Sequence, residues 1–212
     1  IKFIPYFLTQ RNSNSGDKVK TNTYESEGGF DGKVSIGSGL NLDLTYNTDF
    51  AQAEADEQQI NLDRFSLFFP EKRAFFLENA GLFSVGDNSF GGSEVSMFFS
   101  RRIGLAGAGN QVPINGGARL TGTIANMRVG LLNMSTKSAQ GRPANEYQIL
   151  RLKKELPNRS HVGAIATNLI KLDNEKYSNE VVALDAKWGI GEVSQIDGYT
   201  AISNTPNLDK EK

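Results

Sequence analysis

Cysteine is absent from the 212-residue sequence, and histidine occurs only once, at His161. The lack of cysteine excludes a disulfide scaffold, a cysteine-based zinc site and thiol catalysis. A single histidine cannot supply a multi-histidine metal centre. Because no partner motif accompanies His161, we interpret it as an ordinary residue beside a turn. Proline is scarce, with 6 residues, whereas glycine is frequent, with 22. This balance is typical of an all-β protein with many turns.

A strong net charge and a long apolar run are also missing. The formal net charge is −1, which gives no reason to expect a nucleic-acid partner. No stretch of about 18 or more apolar residues occurs, so no transmembrane helix is predicted. The length suits one sizeable domain. Ile1 begins inside a strand-like run and 204–212 is polar, so we expect both ends to be cuts through a larger protein.

Alternation of apolar and polar residues is the main pattern that is present. It is clearest over 30–47, where a Gly37–Gly39 turn interrupts it and predicts a β-hairpin. The same period of two recurs over 118–124 and 182–190, and it predicts strands with one apolar and one polar face. Trp188 lies near the end of such a strand, at the position of an interfacial aromatic in a membrane barrel or of a core residue in a soluble sheet. The apolar positions of the first hairpin are Val34, Ile36, Leu40, Leu42, Leu44 and Tyr46.

The lengths of the connections are uneven. Short turns are predicted near 37–39, 125–126, 157–160 and 189–192, and long polar loops at 11–29, 104–112, 135–145 and 172–178. Ser96 to Gly104 is predicted as a strand. A meander of roughly ten-residue strands, with short turns at one rim and long loops at the other, is typical of an outer-membrane barrel. We therefore predict an all-β, antiparallel up-and-down meander that is part of a transmembrane β-barrel. A soluble β-sandwich is the alternative, since any sheet with one wet face alternates.

One irregular segment, 48–94, departs from this pattern, and we predict it to be a plug or rim element of a single domain that covers 1–212. It opens with acidic residues that include Asp49, Glu54 and Asp56. These three are weak candidates for a Ca²⁺ site, because carboxylate oxygens are the ligands of that cation. Their spacing does not match an EF-hand loop, and a solvated acidic loop explains them as well. We assign no cofactor and no catalytic residue.

The same segment continues into a block with five phenylalanines beside a charged cluster. If the block folds inward, its phenylalanines pack against the barrel wall and its charges pair with charges of the lumen. If it is exposed, so many aromatics mark a docking site for another protein or domain. We favour burial and assign the block a structural or gating role. The block spans Phe65 to Leu77, and the residues assigned this role are Phe68, Phe69, Pro70, Glu71, Lys72, Arg73, Phe75 and Phe76.

The block resembles the hallmark of a family of Gram-negative outer-membrane proteins. The resemblance rests on FFPEKRAFFLE at 68–78 and on the stretch around it, 46–83. Phe99 to Gly104 (FSRRIG) and Leu150 to Ser160 (LRLKKELPNRS) are similar to further family segments. Thr48 stands where the family usually has proline.

Family members usually carry an N-terminal domain similar to carbohydrate-binding family nine, followed by a β-barrel of unknown function. No counterpart of that N-terminal domain lies within 1–212. The resemblance implies a bacterial outer-membrane location, with membrane lipid as a partner and a partner protein or the N-terminal domain as candidate further partners. We expect a porin-like or transport component without catalysis. The alternatives are a membrane-anchored scaffold that presents a carbohydrate-binding domain, and a membrane-associated hydrolase.

Overall fold

The computed structural model describes residues 1–15, 20–47, 71–85, 97–104, 112–139, 141, 143–172 and 177–206. These residues form nine strands, one turn of α-helix and two short 3₁₀ turns at Ala80–Phe83 and Ser100–Arg102. No helix in these ranges is long and apolar enough to cross a membrane. The remaining elements are β1 (Lys2–Ser15), β2 (Lys20–Ile36), β3 (Leu40–Tyr46), α1 (Ala74–Leu77), β4 (Ile114–Ile124), β5 (Met127–Thr136), β6 (Asn145–Leu156), β7 (Ser160–Lys171), β8 (Tyr177–Ile190) and β9 (Ser194–Asn204).

The nine strands form one antiparallel sheet in which each strand pairs with its neighbours in sequence. The prediction of an all-β, up-and-down meander is therefore confirmed. The barrel of which the sheet is predicted to be part is not closed within the described residues, because β1 and β9 each pair on one side only. Registers are continuous along most pairs, with one irregularity in β4 between Ile114 and Gly116.

The four predicted short turns are confirmed, and all of them lie at the same rim of the sheet, between β2 and β3, β4 and β5, β6 and β7, and β8 and β9. Ala125 and Asn126 both have positive φ angles, 48° and 64°, as a two-residue type I′ turn requires. This turn geometry matches the twist of the flanking strands and holds them in register.

Two predictions about local structure were wrong. Residues 11–29 were expected to form a long loop, but β1 and β2 continue to the pair Ser15–Lys20. The ladder is made by backbone groups, so a polar stretch that contains strand-favouring Thr21 and Thr23 can extend a hairpin. Ser96 to Gly104 was expected to be a strand, whereas its 100–102 part is a 3₁₀ turn. A short apolar run does not distinguish a strand from another buried element by its period.

Residues 71–85 and 97–104, which we call the covering segment, pack on one face of the sheet. We call this side the covered face. The segment contributes Phe75, Phe76, Leu82, Phe83 and Ile103 to the hydrophobic core. The sheet contributes side chains from β4 to β8, and burial of both sets away from water stabilises the packing. The sheet residues of this core are Ile114, Leu132, Met134, Ile149, Ile165 and Ala183.

Candidate functional site

The predicted structural or gating residues divide into two groups. Phe68, Phe69 and Pro70 lie outside the described residues, as do the candidate calcium ligands Asp49, Glu54 and Asp56. The other five belong to the covering segment, where Phe75 and Phe76 are buried and Lys72 is exposed. The two phenyl rings meet edge to face, with centroids 5.2 Å apart. The part of the block that the structure describes is therefore packed against the sheet on its aromatic side.

Arg73 holds the two parts of the covering segment together. Its Nε and Nη2 donate to the two carboxylate oxygens of Glu71, at 2.8 and 2.7 Å. Its Nη1 donates to the Ile103 carbonyl at 2.6 Å, and Nη2 also donates to the Ser100 carbonyl at 2.9 Å. The guanidinium lies 4.2 Å from the centroid of the Phe76 ring. Arg73 and Glu71 pair with each other, whereas the predicted pairing of this cluster with charges of a lumen stays a prediction.

Both carboxylate oxygens of Glu71 accept more than one hydrogen bond. The carboxylate accepts from Arg73, from the Ser100 hydroxyl at 2.8 Å, and from the backbone N–H groups of Lys72 and Arg73 at 3.1 and 3.0 Å. Burial alone raises the pKa of this carboxyl. The hydrogen bonds and positive charge of Arg73 outweigh the burial, with help from Ser100, and the pKa of Glu71 lies below its ordinary value. The carboxylate form therefore stabilises this fold of the segment.

Arg119 of β4 attaches α1 to the sheet. Its Nε and Nη2 donate to Asp43 Oδ2 of β3, at 3.1 and 2.8 Å, and Asp43 is its direct register partner. Its Nη1 donates to the carbonyls of Phe75 and Glu78, the latter at 2.6 Å. All three nitrogens of the buried guanidinium are thus engaged, which a charge removed from water requires.

Glu78 extends this contact to β2. Its carboxylate receives a hydrogen bond from Lys33 and lies 3.7 Å from Arg119. The hydrogen bond from Lys33 is the main reason why the pKa of Glu78 lies below its ordinary value, and the charges of Lys33 and Arg119 add to it. Lys33 also lies 3.9 Å from Asp43. Basic and acidic side chains therefore alternate across three neighbouring strands, with Lys33 on β2, Asp43 on β3 and Arg119 on β4.

Arg151 of β6 is the second attachment point. Its two terminal nitrogens bind the two oxygens of Asp185 on β8 at 2.5 and 2.8 Å, and both side chains are only 1% exposed. Its Nε donates to the Leu82 carbonyl at 3.2 Å. Gly163 of β7 makes room for this pair, because a Cβ at that position would lie 2.5 Å from Asp185 Oδ1. His161 Nε2 lies 3.4 Å from the other oxygen of Asp185.

His161 lies at the start of β7 beside the short turn, as expected from the sequence, and it is buried beside the Arg151–Asp185 pair. Within the described residues, no group of three or more His, Asp or Glu side chains is arranged to hold a metal ion. The two arginine attachments were not recognised from the sequence. The sequence signal for each attachment was an arginine at a polar position of an alternating strand. The carboxylate that pairs with this arginine could not be identified, because it depends on which strands pair and in which register.

The opposite face of the sheet is apolar and exposed, and we call it the apolar face. One register row crosses it as Leu42, Leu120, Leu131, Leu150, Ala166, Val182 and Ile202. Trp188, near the end of β8, is 71% exposed. Other exposed members of this face are Phe3, Phe7, Ile36, Leu44, Tyr46, Val162, Leu184 and Ile196.

These features define a class of protein: an antiparallel β-meander with one face covered by an aromatic, ion-paired segment and the other face apolar and exposed. The chain belongs to the family described as a domain of unknown function, DUF5916, whose model matches residues 1–138. No curated protein and no solved structure matches the chain. The expected membership in a family of unknown function is confirmed, while the outer-membrane location and the N-terminal binding domain stay predictions.

Proposed function

We propose that the sheet is part of the wall of an outer-membrane β-barrel, with its apolar face toward lipid and the covering segment inside the lumen as a gate of a porin-like transport component. The observation that carries this proposal is the inversion of the two faces. In a soluble two-faced sheet, the apolar face is buried and the charged face is wet. In this sheet, Asp43, Arg119 and Asp185 are buried and the aliphatic rows are exposed.

The height of the apolar face supports the proposal. Val182 to Ile190 on β8 carries apolar residues at every second position, and nine residues span about 27 Å along a strand. At a tilt of about 40°, this length corresponds to about 21 Å of membrane, close to the roughly 25 Å apolar band of known barrels. Trp188 lies near one end of the face and Tyr46 at the other, as interfacial aromatics do. Lys154, an exposed cation on this face, lies near the short-turn rim, where its side chain can reach water.

The open edges set a condition on the barrel. In a nine-strand antiparallel meander, β1 and β9 run in the same direction. Antiparallel closure therefore takes an odd number of further strands between them, which agrees with the even strand count of single-chain bacterial barrels.

The covering segment is suited to act as a gate because its polar attachments are reversible hydrogen bonds and its apolar contacts with the core are also non-covalent. Arg119 and Arg151 bind its backbone carbonyls, and the chain has no cysteine that could fix it to the sheet through a disulfide. Opening requires both arginines to release these carbonyls and the apolar side chains of the segment to leave the core. Each arginine keeps its carboxylate partner on the sheet. The ion pairs with Asp43 and Asp185 would then line the lumen as charged groups in contact with water.

Planar-bilayer recording on the full-length protein tests this function. We expect insertion into lipid with small currents in the wild type, and several-fold larger or more frequent currents after Arg119→Ala or Arg151→Ala. Arg128→Ala is the matched control, since Arg128 is exposed and pairs only loosely with Glu155, at 3.9 Å. Equal currents in all four proteins would overturn the gating role.

A second experiment tests the orientation of the sheet. An arginine on the lipid face of a barrel costs about 2–4 kcal/mol at the bilayer midplane. Leu150→Arg should therefore impair insertion into vesicles, whereas Glu192→Arg in the turn after β8 should not. A protein that stays monomeric without detergent and does not insert would contradict the proposal.

A further inference from the structure

A groove of about 610 Å³ runs over the apolar face across six strands. Its aliphatic lining is one register row, in which each residue lies beside the next on the neighbouring strand. Neighbouring strands lie about 4.8 Å apart, so the row forms a continuous hydrocarbon surface. The members of the row that line the groove are Leu42, Leu120, Leu131, Leu150, Ala166 and Val182.

The groove becomes polar at one side. Two residues further along each strand, and about 7 Å away, the next row contains Asn133, Gln148, Asn168 and Glu180, which also line the groove. Glu146, one row beyond, accepts from Asn133 Nδ2 at 3.0 Å and from Gln148 Nε2 at 2.9 Å. A string of amides and carboxylates therefore borders an otherwise aliphatic surface, at the end of the face away from the short turns.

Hydrogen-bond acceptors are in excess in this polar part. Asn168 Oδ1 is buried and accepts no hydrogen bond from any described residue, which is costly for an amide oxygen. Glu146 and Glu180 add two carboxylates, and neither register row contains Lys or Arg. The site therefore needs donors and positive charge. The amide nitrogens can still donate, since each carries two hydrogens.

We propose that this groove and its polar border are a binding site for a phospholipid with a phosphoethanolamine headgroup. An acyl chain lies on the aliphatic row. The primary ammonium donates to Glu180 and Asn168 Oδ1, which are register partners. Glu146, held beside Asn133 and Gln148, adds a second negative charge to the site, and the phosphate accepts from amide N–H groups of the row. This inference rests on the proposed lipid contact of the apolar face. A quaternary ammonium lacks the N–H donors that this site requires, and an anionic headgroup without ammonium is repelled by the two carboxylates.

The test is native mass spectrometry of the full-length protein in a neutral detergent, with three lipids of identical acyl chains that carry phosphoethanolamine, phosphocholine or phosphoglycerol headgroups. We expect the phosphoethanolamine lipid to bind about tenfold more tightly than the phosphocholine lipid, because one charge-assisted hydrogen bond contributes about 1.4 kcal/mol or more. The phosphoglycerol lipid should bind most weakly.

The double variant Glu146→Gln and Glu180→Gln keeps the shape of the site and removes both charges. It should reduce the tenfold preference to about onefold to twofold, and Asn168→Leu should weaken the preference in part. Glu192→Gln removes a carboxylate in the turn after β8 and should change nothing.

The outcomes separate this inference from the proposed function. If the protein inserts into vesicles but binds all three lipids equally, or if the preference survives in the double variant, the headgroup site is overturned and the barrel is not. If the protein neither inserts into vesicles nor binds any of the three lipids, the proposed function fails and the inference fails with it.

Discussion

The two faces of the sheet are formed by the same strands but differ in the kind of side chain that each buries or exposes. Leu131 and Leu132 are neighbours on β5, yet Leu131 is 41% exposed on the apolar face and Leu132 is 3% exposed on the covered face. The same alternation places Arg119 under the covering segment, while its neighbours Ala118 and Leu120 lie partly exposed on the apolar face. One face thus buries charge and the other exposes hydrocarbon.

The comparison shows that, in this sheet, a charged side chain can be buried and an apolar side chain exposed. The covered face can bury arginines because each has a carboxylate within 2.8 Å and backbone carbonyls for its remaining donors. Such pairs are strongly favourable only when they are complete, since an isolated buried charge is very costly. The apolar face needs no such partners, but it needs an apolar surrounding to lower its free energy. Variants that act on one face only can test this division.

The largest expected effect follows from breaking one ion pair of the covered face. Arg151→Ala leaves the carboxylate of Asp185 buried without its main partner and frees the Leu82 carbonyl. We expect the free energy of unfolding to fall by about 3–5 kcal/mol, measured by urea unfolding in detergent with far-UV circular dichroism. Arg128→Ala, at an exposed pair, should cost at most about 1 kcal/mol. Similar losses in both variants would mean that the covered face is open to water.

The second-largest change in the free energy of unfolding is expected at Leu131 and Leu132, which are neighbours on β5. Leu132→Ala opens a cavity beneath the covering segment and should lower the free energy of unfolding by about 2–5 kcal/mol. Leu131→Ala removes the same atoms from the apolar face, where no cavity forms, and should cost only about 1 kcal/mol. The same unfolding experiment compares them. If the order were reversed, the assignment of the two faces would be wrong.

A smaller effect on stability is expected from adding a methyl group at a glycine, and one glycine on each face allows the comparison. A Cβ on Gly130 would lie 3.0 Å from side-chain atoms of Leu82 and Phe83, so Gly130→Ala pushes against the covering segment. Overpacking of this kind costs about 1–3 kcal/mol. On the apolar face, a Cβ on Gly32 would meet only Leu44 Cβ at 3.9 Å, an ordinary contact. Gly32→Ala should therefore leave the unfolding midpoint almost unchanged. Equal tolerance at both positions would show that the covering segment does not rest on β5.

The smallest effect is a dependence on acid. The pKa of Glu71 is lower in the folded protein than its ordinary value of 4.5, so its carboxylate stabilises the fold fully above about that pH. This stability is lost as the pH falls below 4.5 and through the lowered pKa. Glu71→Gln should flatten the decline of the unfolding midpoint below pH 4.5, while Glu192→Gln should not. A wild type with constant stability from pH 6 to pH 3 would contradict this coupling.

Much of the fold could be predicted from the sequence, because strands and short turns depend on residues that are close together in the chain. Period-two alternation predicted the strands from 30 onward, and glycine or asparagine at the short turns predicted their positions. Residues 11–29 could not be predicted, since polar side chains give no apolar stripe while the backbone ladder forms all the same. The aromatic block was recognised as unusual, and its burial was the favoured interpretation. Its partners Arg119 and Arg151 were not, because they lie 41 or more residues away along the chain.

The sequence by itself determined the all-β class, the rim of short turns and the two-faced character of the strands. Each of these follows from residues within a few positions of one another. Only the tertiary structure decided which face is covered, that Arg73 pairs within its own segment, and that Arg151 reaches Asp185 on β8, across β7. It also placed Asn168 and Glu180 beside an aliphatic groove. The physical reason is the register of the sheet, which brings distant residues together and depends on all strands pairing at once.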